Sequence, residues 1–225
     1  MMRMLSCLTA LWILVSGLKL DSFAQSEVYR SVETDSMKIA ITFDDGPHPT
    51  QTKQILDILD AYGVKATFFM VGVNVINYPD AARDVISRGH EVGNHTFSHS
   101  IMTHLNEAEV KREMERCEQA LAELCDYHPH ILRPPQGALN PQVQKCTQEA
   151  DYSIILWSLD TRDWESKDEE KIVDCVLSSV KSGDIILMHD YIGRKSKTPQ
   201  ALERLLPELL ARGFEPVTVR ELLYD

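Results

Sequence analysis

Short apolar segments alternate with longer amphipathic segments along most of the chain. The short segments are rich in β-branched and aromatic residues, a composition that favours buried strands. They predict strands over residues 37–43, 66–72, 90–94, 130–133, 152–159, 184–190 and 215–219. The longer segments predict helices over residues 50–61, about 77–88, 106–124, 140–150, 168–181 and 198–212. Pro207 should kink or split the last helix, because proline cannot donate the helical hydrogen bond.

Strands that alternate with helices imply a parallel sheet. About seven strands in a chain of this length suit a compact or incomplete (β/α) barrel, with a doubly wound open sheet as the alternative. The most unusual polar residues all fall at or just beyond the carboxyl ends of predicted strands. Barrel active sites are built at that face, whereas open sheets bind mainly around one switch point, so this placement favours the barrel.

The amino terminus has the order expected of a secretory signal peptide over residues 1–24. Arg3 precedes the uncharged, mostly apolar run of residues 5–18, and the small residues Ser22 and Ala24 follow it. This run is short for a bilayer span, which needs roughly 20 residues, although an uncleaved anchor is the alternative. After it, residues 25–37 form a polar lead-in without a core pattern, and residues 38–225 are expected to form one domain.

The chain carries a formal net charge of −11, which argues against a nucleic-acid partner because such proteins cluster basic residues. It also gives no general attraction to an anionic cell wall, so a polyanionic substrate would need local contacts. Four cysteines lie beyond the signal segment: Cys117, Cys125, Cys146 and Cys175. An exported chain could form one or two disulfides from them, and buried free thiols are the alternative.

His95 and His99 are four residues apart, so a helical turn would bring both imidazoles to one face. Two unrelated surface or core histidines are the usual explanation of an isolated pair. Thr96 stands where a zinc protease of the HExxH type has its glutamate, which excludes that class. With one aspartate added, the pair would supply three protein ligands and leave open positions, as a catalytic metal requires.

Asp44 and Asp45 provide such a carboxylate at the end of the first predicted strand, just before a Gly-Pro pair. Neighbouring like charges resist joint ionisation unless a cation or a hydrogen-bond partner relieves them. Side chains of adjacent strand residues point to opposite faces, so both aspartates cannot share one role in regular strand geometry. We expect the turn to free the strand end, so that one carboxylate binds metal and the other acts as a base.

Five segments together resemble the ordered motifs of the polysaccharide deacetylases, which are carbohydrate esterase family 4, the NodB homology domain. The segments are TFDDGP (42–47), HTFSH (95–99), RPPQG (133–137), DTRDW (160–164) and LMHD (187–190). Five motifs in this order are far more specific than any one of them alone. The resemblance implies a metal-dependent N-deacetylase on a distorted (β/α) barrel.

By this resemblance, Asp45, His95 and His99 hold the metal. Asp44 is then the general base, and Arg133 is similar to the arginine that pairs with and orients that base. Zinc is the default ion, with cobalt or another transition metal as an alternative. Metal coordination can lower the pKa of water towards about 7, which gives the strong nucleophile that an amide requires.

His189 resembles the general acid that protonates the departing amine, and Asp163 resembles the carboxylate that keeps this imidazole charged and oriented. The backbone N–H of residue 136 would help to stabilise the oxyanion. Substrate contacts are implied for Pro135, Gln136, Trp164 and Leu187. Trp164 and Leu187 would wall the acetyl pocket, although a core position is the alternative for each. Gln136 departs from the tyrosine that is usual in the family, which puts the floor of the groove and the substrate preference in question.

The resemblance therefore predicts removal of acetyl groups from an N-acetylhexosamine polysaccharide by a secreted or cell-envelope enzyme. We expect a monomer with no nucleic-acid partner and no stable membrane span after cleavage. An exported domain without an appended carbohydrate-binding module favours peptidoglycan, with chitin oligosaccharides second. The alternatives are an O-acetyl xylan esterase on the same site and a non-catalytic carbohydrate-binding relative.

Overall fold

The computed structural model describes residues 27–193 and 196–224, and within these ranges nine strands form one parallel sheet. The hydrogen-bonded order is β1-β6-β5-β4-β3-β2-β8-β7, and β9 pairs with the first half of β2. The strands are β1 Val28–Tyr29, β2 Lys38–Asp44, β3 Thr67–Met70, β4 Glu91–Asn94, β5 Ile131–Leu132, β6 Ser153–Ile155, β7 Leu159–Asp160, β8 Ile185–His189 and β9 Glu215–Val217. Because β1 and β7 end the order without pairing with each other, the sheet is an open, curled half-barrel, which confirms the predicted incomplete barrel.

Helices connect the strands and cover the outside of the sheet. They are α1 Gln51–Ala61, α2 Gly72–Asn77, α3 Pro79–Ser87, α4 Glu107–Cys125, α5 Pro141–Glu149, α6 Glu169–Ser179, α7 Thr198–Ala211 and α8 Val219–Tyr224. The longest, α4, begins at a capping box in which Asn106 and Glu109 each bond the other's backbone N–H. Its buried residues include Val110, Met114 and Leu121, a helical spacing that turns one face towards the core.

Alternation along β2 separates the outer core from the interior of the half-barrel. Ile39, Ile41 and Phe43 pack in the large cluster beneath the helices, whereas Ala40 packs in a smaller cluster on the other face. Since side chains alternate with a period of two, Thr42 and Asp44 project to the same face as Ala40. Strand β2 therefore carries Asp44 into the half-barrel interior.

Part of the predicted lead-in contributes to the sheet and the core, namely residues 28–32. Strand β1 pairs in parallel with β6, and Tyr29 and Val32 pack against the inner cluster. The backbone N–H of Val32 also donates to the carbonyl oxygen of Gly183 at 2.9 Å. A two-residue strand is too short to show the alternation on which sequence prediction depends.

Three predicted elements differ in extent. The strand predicted over residues 152–159 is divided into β6 and β7 by residues 156–158. The helix predicted over about residues 77–88 is α3, whereas the short helix α2 before it was not predicted. Helix α7 runs unbroken through Pro207, so of the two effects predicted there, a kink or a split, the split is wrong. The sequence also gave no prediction of α8, which follows directly after β9.

The predicted signal peptide, or anchor, lies outside the described residues. Among residues 27–193 and 196–224, no helix is both long enough and apolar enough to cross a bilayer. All four described cysteines are free thiols, and Cys117 and Cys146 are buried. Of the two alternatives for the cysteines, the structure therefore favours free thiols over disulfides.

Docking of the amino-terminal segment can be tested at two glycines with nearly the same backbone angle. Gly183 has φ +80° and a Cβ added there would overlap the carbonyl oxygen of Val32, whereas Gly213 has φ +85° and open space around it. Gly213→Ala should lower the free energy of unfolding by about 1 kcal/mol through backbone strain alone. Gly183→Ala should cost about 1–3 kcal/mol more through the overlap. Urea denaturation measures both, and equal losses would show that residues 28–32 do not pack as described.

Candidate active site

The residues singled out by the motifs meet at one edge of the sheet, where the parallel strands end. Asp44 is the last residue of β2 and His189 is the last residue of β8, and the strand register places these two residues side by side. His95 directly follows β4, and Arg133 directly follows β5. Because all four strands run in parallel, their carboxyl ends bring these side chains to a common face.

Asp45, His95 and His99 form a compact set of metal donors. One donor atom from each lies within 4.8 Å of the others. The Asp45 Oδ1 atom is 3.4 Å from His95 Nε2 and 3.0 Å from His99 Nε2. Two imidazole nitrogens and one carboxylate oxygen fit a divalent ion of the catalytic type, which leaves coordination positions for water and substrate.

Local backbone geometry explains how neighbouring residues reach this set. Asp45 has φ 75°, which breaks the strand alternation immediately after Asp44 and lets both carboxylates face the same cavity. His95 and His99 lie on a loop in which Thr96 and His99 have φ 66° and 59°. The helical turn predicted for this histidine pair is therefore wrong, since two left-handed residues rather than helical spacing bring the rings together.

His95 is oriented by a second contact. Its Nδ1 lies 2.7 Å from the carbonyl oxygen of Arg133, and both groups are buried. A carbonyl can only accept, so Nδ1 carries a proton and Nε2 is the nitrogen that faces Asp45. Although burial opposes it, hydrogen bonds with His95 and His99 hold the pKa of Asp45 far below its usual range. The Asp45 carboxylate in turn raises the pKa of His99, whose proton a bound metal would displace.

Asp44 has a different partner. Arg133 Nη1 donates to Asp44 Oδ1 at 2.7 Å and to Thr42 Oγ1 at 2.8 Å. The other guanidinium nitrogens donate to the carbonyl oxygens of Ile155 and Leu156 at 3.1 and 2.9 Å. Arg133 has no solvent exposure, and this burial lowers its pKa while the Asp44 charge opposes the shift. The guanidinium thus gives Asp44 a fixed positive neighbour.

His189 forms a second buried pair, with Asp163. The two residues are joined at 2.7 Å between His189 Nδ1 and Asp163 Oδ1, and the His189 backbone N–H donates to Asp163 Oδ2 at 2.8 Å. Thr198 also donates to that Oδ2 atom, at 2.6 Å. Burial opposes protonation of the imidazole, but the bond to Asp163 and the nearby carboxylates raise the pKa of His189 to about 9.

One cavity of 390 Å³ joins these groups, and its walls include most of the predicted substrate contacts. Gln136, Trp164 and Leu187 line it, and Trp164 is 52% exposed, which excludes a core position for that side chain. Pro135 is buried and is not among the lining residues, so the substrate contact predicted for Pro135 has no support here. It lies directly before Gln136, whose φ of 59° turns that residue outwards.

Sequence reasoning missed Trp157 and gave Asp160 no catalytic role, yet both line the cavity. Trp157 lies just beyond the carboxyl end of β6 and Asp160 is the last residue of β7, the positions from which barrel folds supply their site residues. A larger cavity of 890 Å³ lies at the opposite edge, near the first residues of β4, β5 and β6. It shares no lining residue with the site described above.

Comparisons with known proteins agree with this architecture. The family model described as "Polysaccharide deacetylase" matches residues 31–155. The chain is 42% identical to a peptidoglycan-N-acetylglucosamine deacetylase of Bacillus cereus, over 82% of this chain and 87% of that protein. It is 34% identical to a chitooligosaccharide deacetylase of a Bradyrhizobium strain, over 86% and 93% of the two chains. A crystal structure of a peptidoglycan N-acetylglucosamine deacetylase has a TM-score of 0.84 at 33% identity and covers 88% of this chain and 92% of that one.

The chain therefore belongs to the polysaccharide deacetylase family. The fold, the order of the five motifs and the similarity over most of the chain all support this membership. The family is metal-dependent, and the donor set of Asp45, His95 and His99 fits that requirement.

The His189–Asp163 pair should make the stability of the fold depend on pH. The pKa of His189 is raised from 6.5 in the unfolded chain to about 9 in the folded protein, so the stabilisation that this pair contributes is fully present below pH 6.5. That contribution is lost as the pH rises through about 9. Asp163→Asn removes the charge and should lower the pKa of His189, measured by NMR titration of the imidazole, whereas Asp174→Asn on α6 should leave it unchanged. An unchanged pKa in Asp163→Asn would contradict the pairing.

Proposed function

We propose that the chain is a zinc-dependent N-deacetylase that acts on N-acetylglucosamine residues of peptidoglycan in the cell envelope. The observation that carries this proposal is one cavity in which a three-residue metal-donor set lies beside two separately paired groups, Asp44 and His189. The relative in Bacillus cereus, at 42% identity, supports the peptidoglycan substrate and the amino sugar. Chitin oligosaccharides are the second candidate, supported by the chitooligosaccharide deacetylase relative.

The metal donors in this proposal are Asp45, His95 and His99. A divalent ion bound by them would polarise the acetyl carbonyl and lower the pKa of the attacking water. Imidazole and carboxylate donors suit zinc, and cobalt or another transition metal can occupy the same set.

Proton transfer is divided between the two paired groups. Asp44, which accepts a hydrogen bond from the buried guanidinium of Arg133, takes the proton of the attacking water. His189 has its Nδ1 engaged by Asp163, so Nε2 is left to donate a proton to the departing amine. The backbone N–H of Gln136 would stabilise the negative oxygen that forms on the acetyl carbon.

The acetyl group would enter beside Trp164 and Leu187, which line the cavity together with the base and the acid. Gln136 is exposed and has a left-handed backbone conformation, and its side-chain amide would contact the sugar. A monomer is sufficient for this arrangement, because all the proposed groups come from one chain. The signal peptide proposed for residues 1–24 would supply export to the envelope.

Acetate release from three polymers distinguishes the alternatives. Metal-loaded protein should release acetate from peptidoglycan, and mass spectrometry should find the loss of acetyl on N-acetylglucosamine. Release from chitin oligomers alone would overturn the peptidoglycan preference, and release from acetylxylan alone would favour the O-acetyl esterase. Release from none, with binding retained, would favour the non-catalytic relative.

Removing one metal donor should remove the ion. His99→Ala should lose both bound zinc and activity, because two donors from the protein bind zinc much more weakly than three. His104→Ala is the matched control, since His104 is exposed and lies outside the cavity. Zinc content by elemental analysis is the readout, and full occupancy with normal turnover in His99→Ala would refute the donor set.

Replacing the base should separate metal binding from turnover. Asp44→Asn should retain the ion yet lower kcat by about 10²-fold or more, the usual contribution of a positioned base. Asp45→Asn should instead weaken metal binding. If Asp44→Asn lost the metal and Asp45→Asn kept it, the two roles would be reversed.

A further inference from the structure

The metal donor Asp45 has a backbone conformation that is uncommon for a residue with a side chain. Its φ is 75°, in the left-handed region, where residues other than glycine persist only when the surrounding structure holds them. This conformation turns the carboxylate towards His95 and His99, which lie 3.4 and 3.0 Å from Asp45 Oδ1 through their Nε2 atoms. The geometry of the metal site therefore depends on the contacts that fix the backbone at Asp45.

The carbonyl oxygens of Asp45 and Gly46 are both hydrogen-bonded to the start of helix α2. The Gly46 oxygen accepts the backbone N–H of Val71 at 2.8 Å. The Asp45 oxygen accepts the side-chain amide of Asn74, through Nδ2, also at 2.8 Å. Of these two bonds, the one from Asn74 is made by a side chain, so a substitution can remove it without changing the backbone.

The start of α2 also holds the loop that carries the two histidine donors. The backbone N–H of Gly72 donates to the carbonyl oxygen of Thr96 at 3.0 Å, and that of Val73 donates to the carbonyl oxygen of Phe97 at 2.9 Å. Both acceptors lie between the two histidines in sequence. The first N–H groups of a helix have no partner within it, so they are free to make these bonds. The start of α2 thus joins the turn of the carboxylate donor to the loop of the histidine donors.

Close packing keeps the start of α2 in this position. A Cβ atom added at Gly72 would lie 2.7 Å from the Phe97 ring and 3.0 Å from the Cα atom of Cys117 on α4. Glycine is the residue that permits so close an approach of backbones. Because α2 is held between the histidine loop and α4, the amide of Asn74 is a fixed point against which the backbone of Asp45 rests.

We propose that Asn74 is a positioning residue for the metal site, and that its amide holds Asp45 in the conformation that aims the carboxylate at the two histidines. Asn74 contacts Asp45 rather than the ion, so it acts through that donor. Groups that orient a metal ligand usually contribute to the affinity for the metal. This inference rests on the metal-donor set of the proposed function, and it adds a residue that lies outside all five sequence motifs.

The test compares zinc affinity with turnover in the full chain. Asn74→Ala should weaken zinc binding about 10–100-fold, measured by competition with a chelator of known affinity, because Asp45 loses the group that orients it. When zinc saturates the site, the variant should recover most of the wild-type kcat, since Asp44 and His189 are held by other partners. A general loss of structure would instead lower kcat at every zinc concentration.

Asn77→Ala is the matched control, because Asn77 lies on the same helix, is exposed and makes no side-chain hydrogen bond to any part of the chain that the structure describes. It should bind zinc as the wild type does. Gly72→Ala should give a contrasting result, because the added Cβ displaces α2 itself. That variant should lose stability in urea as well as zinc affinity.

Unchanged zinc affinity in Asn74→Ala, or an equal loss in Asn77→Ala, would overturn the inference and leave the proposed function intact. A kcat that stays low in Asn74→Ala at full zinc occupancy would also overturn it, because the residue would then act on the chemistry. Zinc binding that Asn74→Ala weakens, without acetate release by the wild type, would refute the proposed function and support the positioning role. A wild-type protein that binds no zinc would overturn both.

Discussion

A guanidinium without solvent exposure must find acceptors for its donors inside the protein, and Arg133 finds them on β2 and around the end of β6. Its backbone extends the same network, because its N–H donates to Asn94 on β4 and its carbonyl oxygen accepts from His95. One residue thereby links three strands to both the proposed base and a proposed metal donor. Breaking such a buried pair costs about 3–5 kcal/mol, so the fold and the site depend on the same interaction.

This constraint divides two neighbouring aspartates by environment. Asp44 receives a positive charge from the protein itself, whereas Asp45, turned by its left-handed backbone, faces His95 and His99. A cation from solution would therefore complete the surroundings of Asp45, whereas Asp44 already has a positive partner in Arg133. In the Asp163–His189 pair the charges are exchanged: the partner is a buried carboxylate, and it raises the pKa of the imidazole. The proposed base, metal donor and acid thus differ in their environment because each has a different partner.

Sequence predicted the parallel half-barrel and the family, because buried strands have a local signature and the motifs fall where strands end. It could not predict β1, since Val28 and Tyr29 gain their pairing from β6, which lies far along the chain. The sequence also could not predict the left-handed loop residues that bring His95 and His99 together. Residues other than glycine rarely adopt this backbone conformation, and they keep it only where the surrounding structure imposes it. Trp157 could not be predicted as a site residue for the same reason, because its position in the cavity depends on residues distant in sequence.

The central claim is that Arg133 holds Asp44 as a base while Asp45, His95 and His99 bind the metal. A crystal structure of the zinc-loaded protein, with anomalous scattering recorded at the zinc absorption edge, tests it most directly. The account predicts one anomalous peak with ligand distances of about 2.0–2.2 Å to Asp45, His95 and His99, and with Asp44 still paired to Arg133. A zinc ion coordinated by Asp44, or a peak away from these three residues, would contradict it.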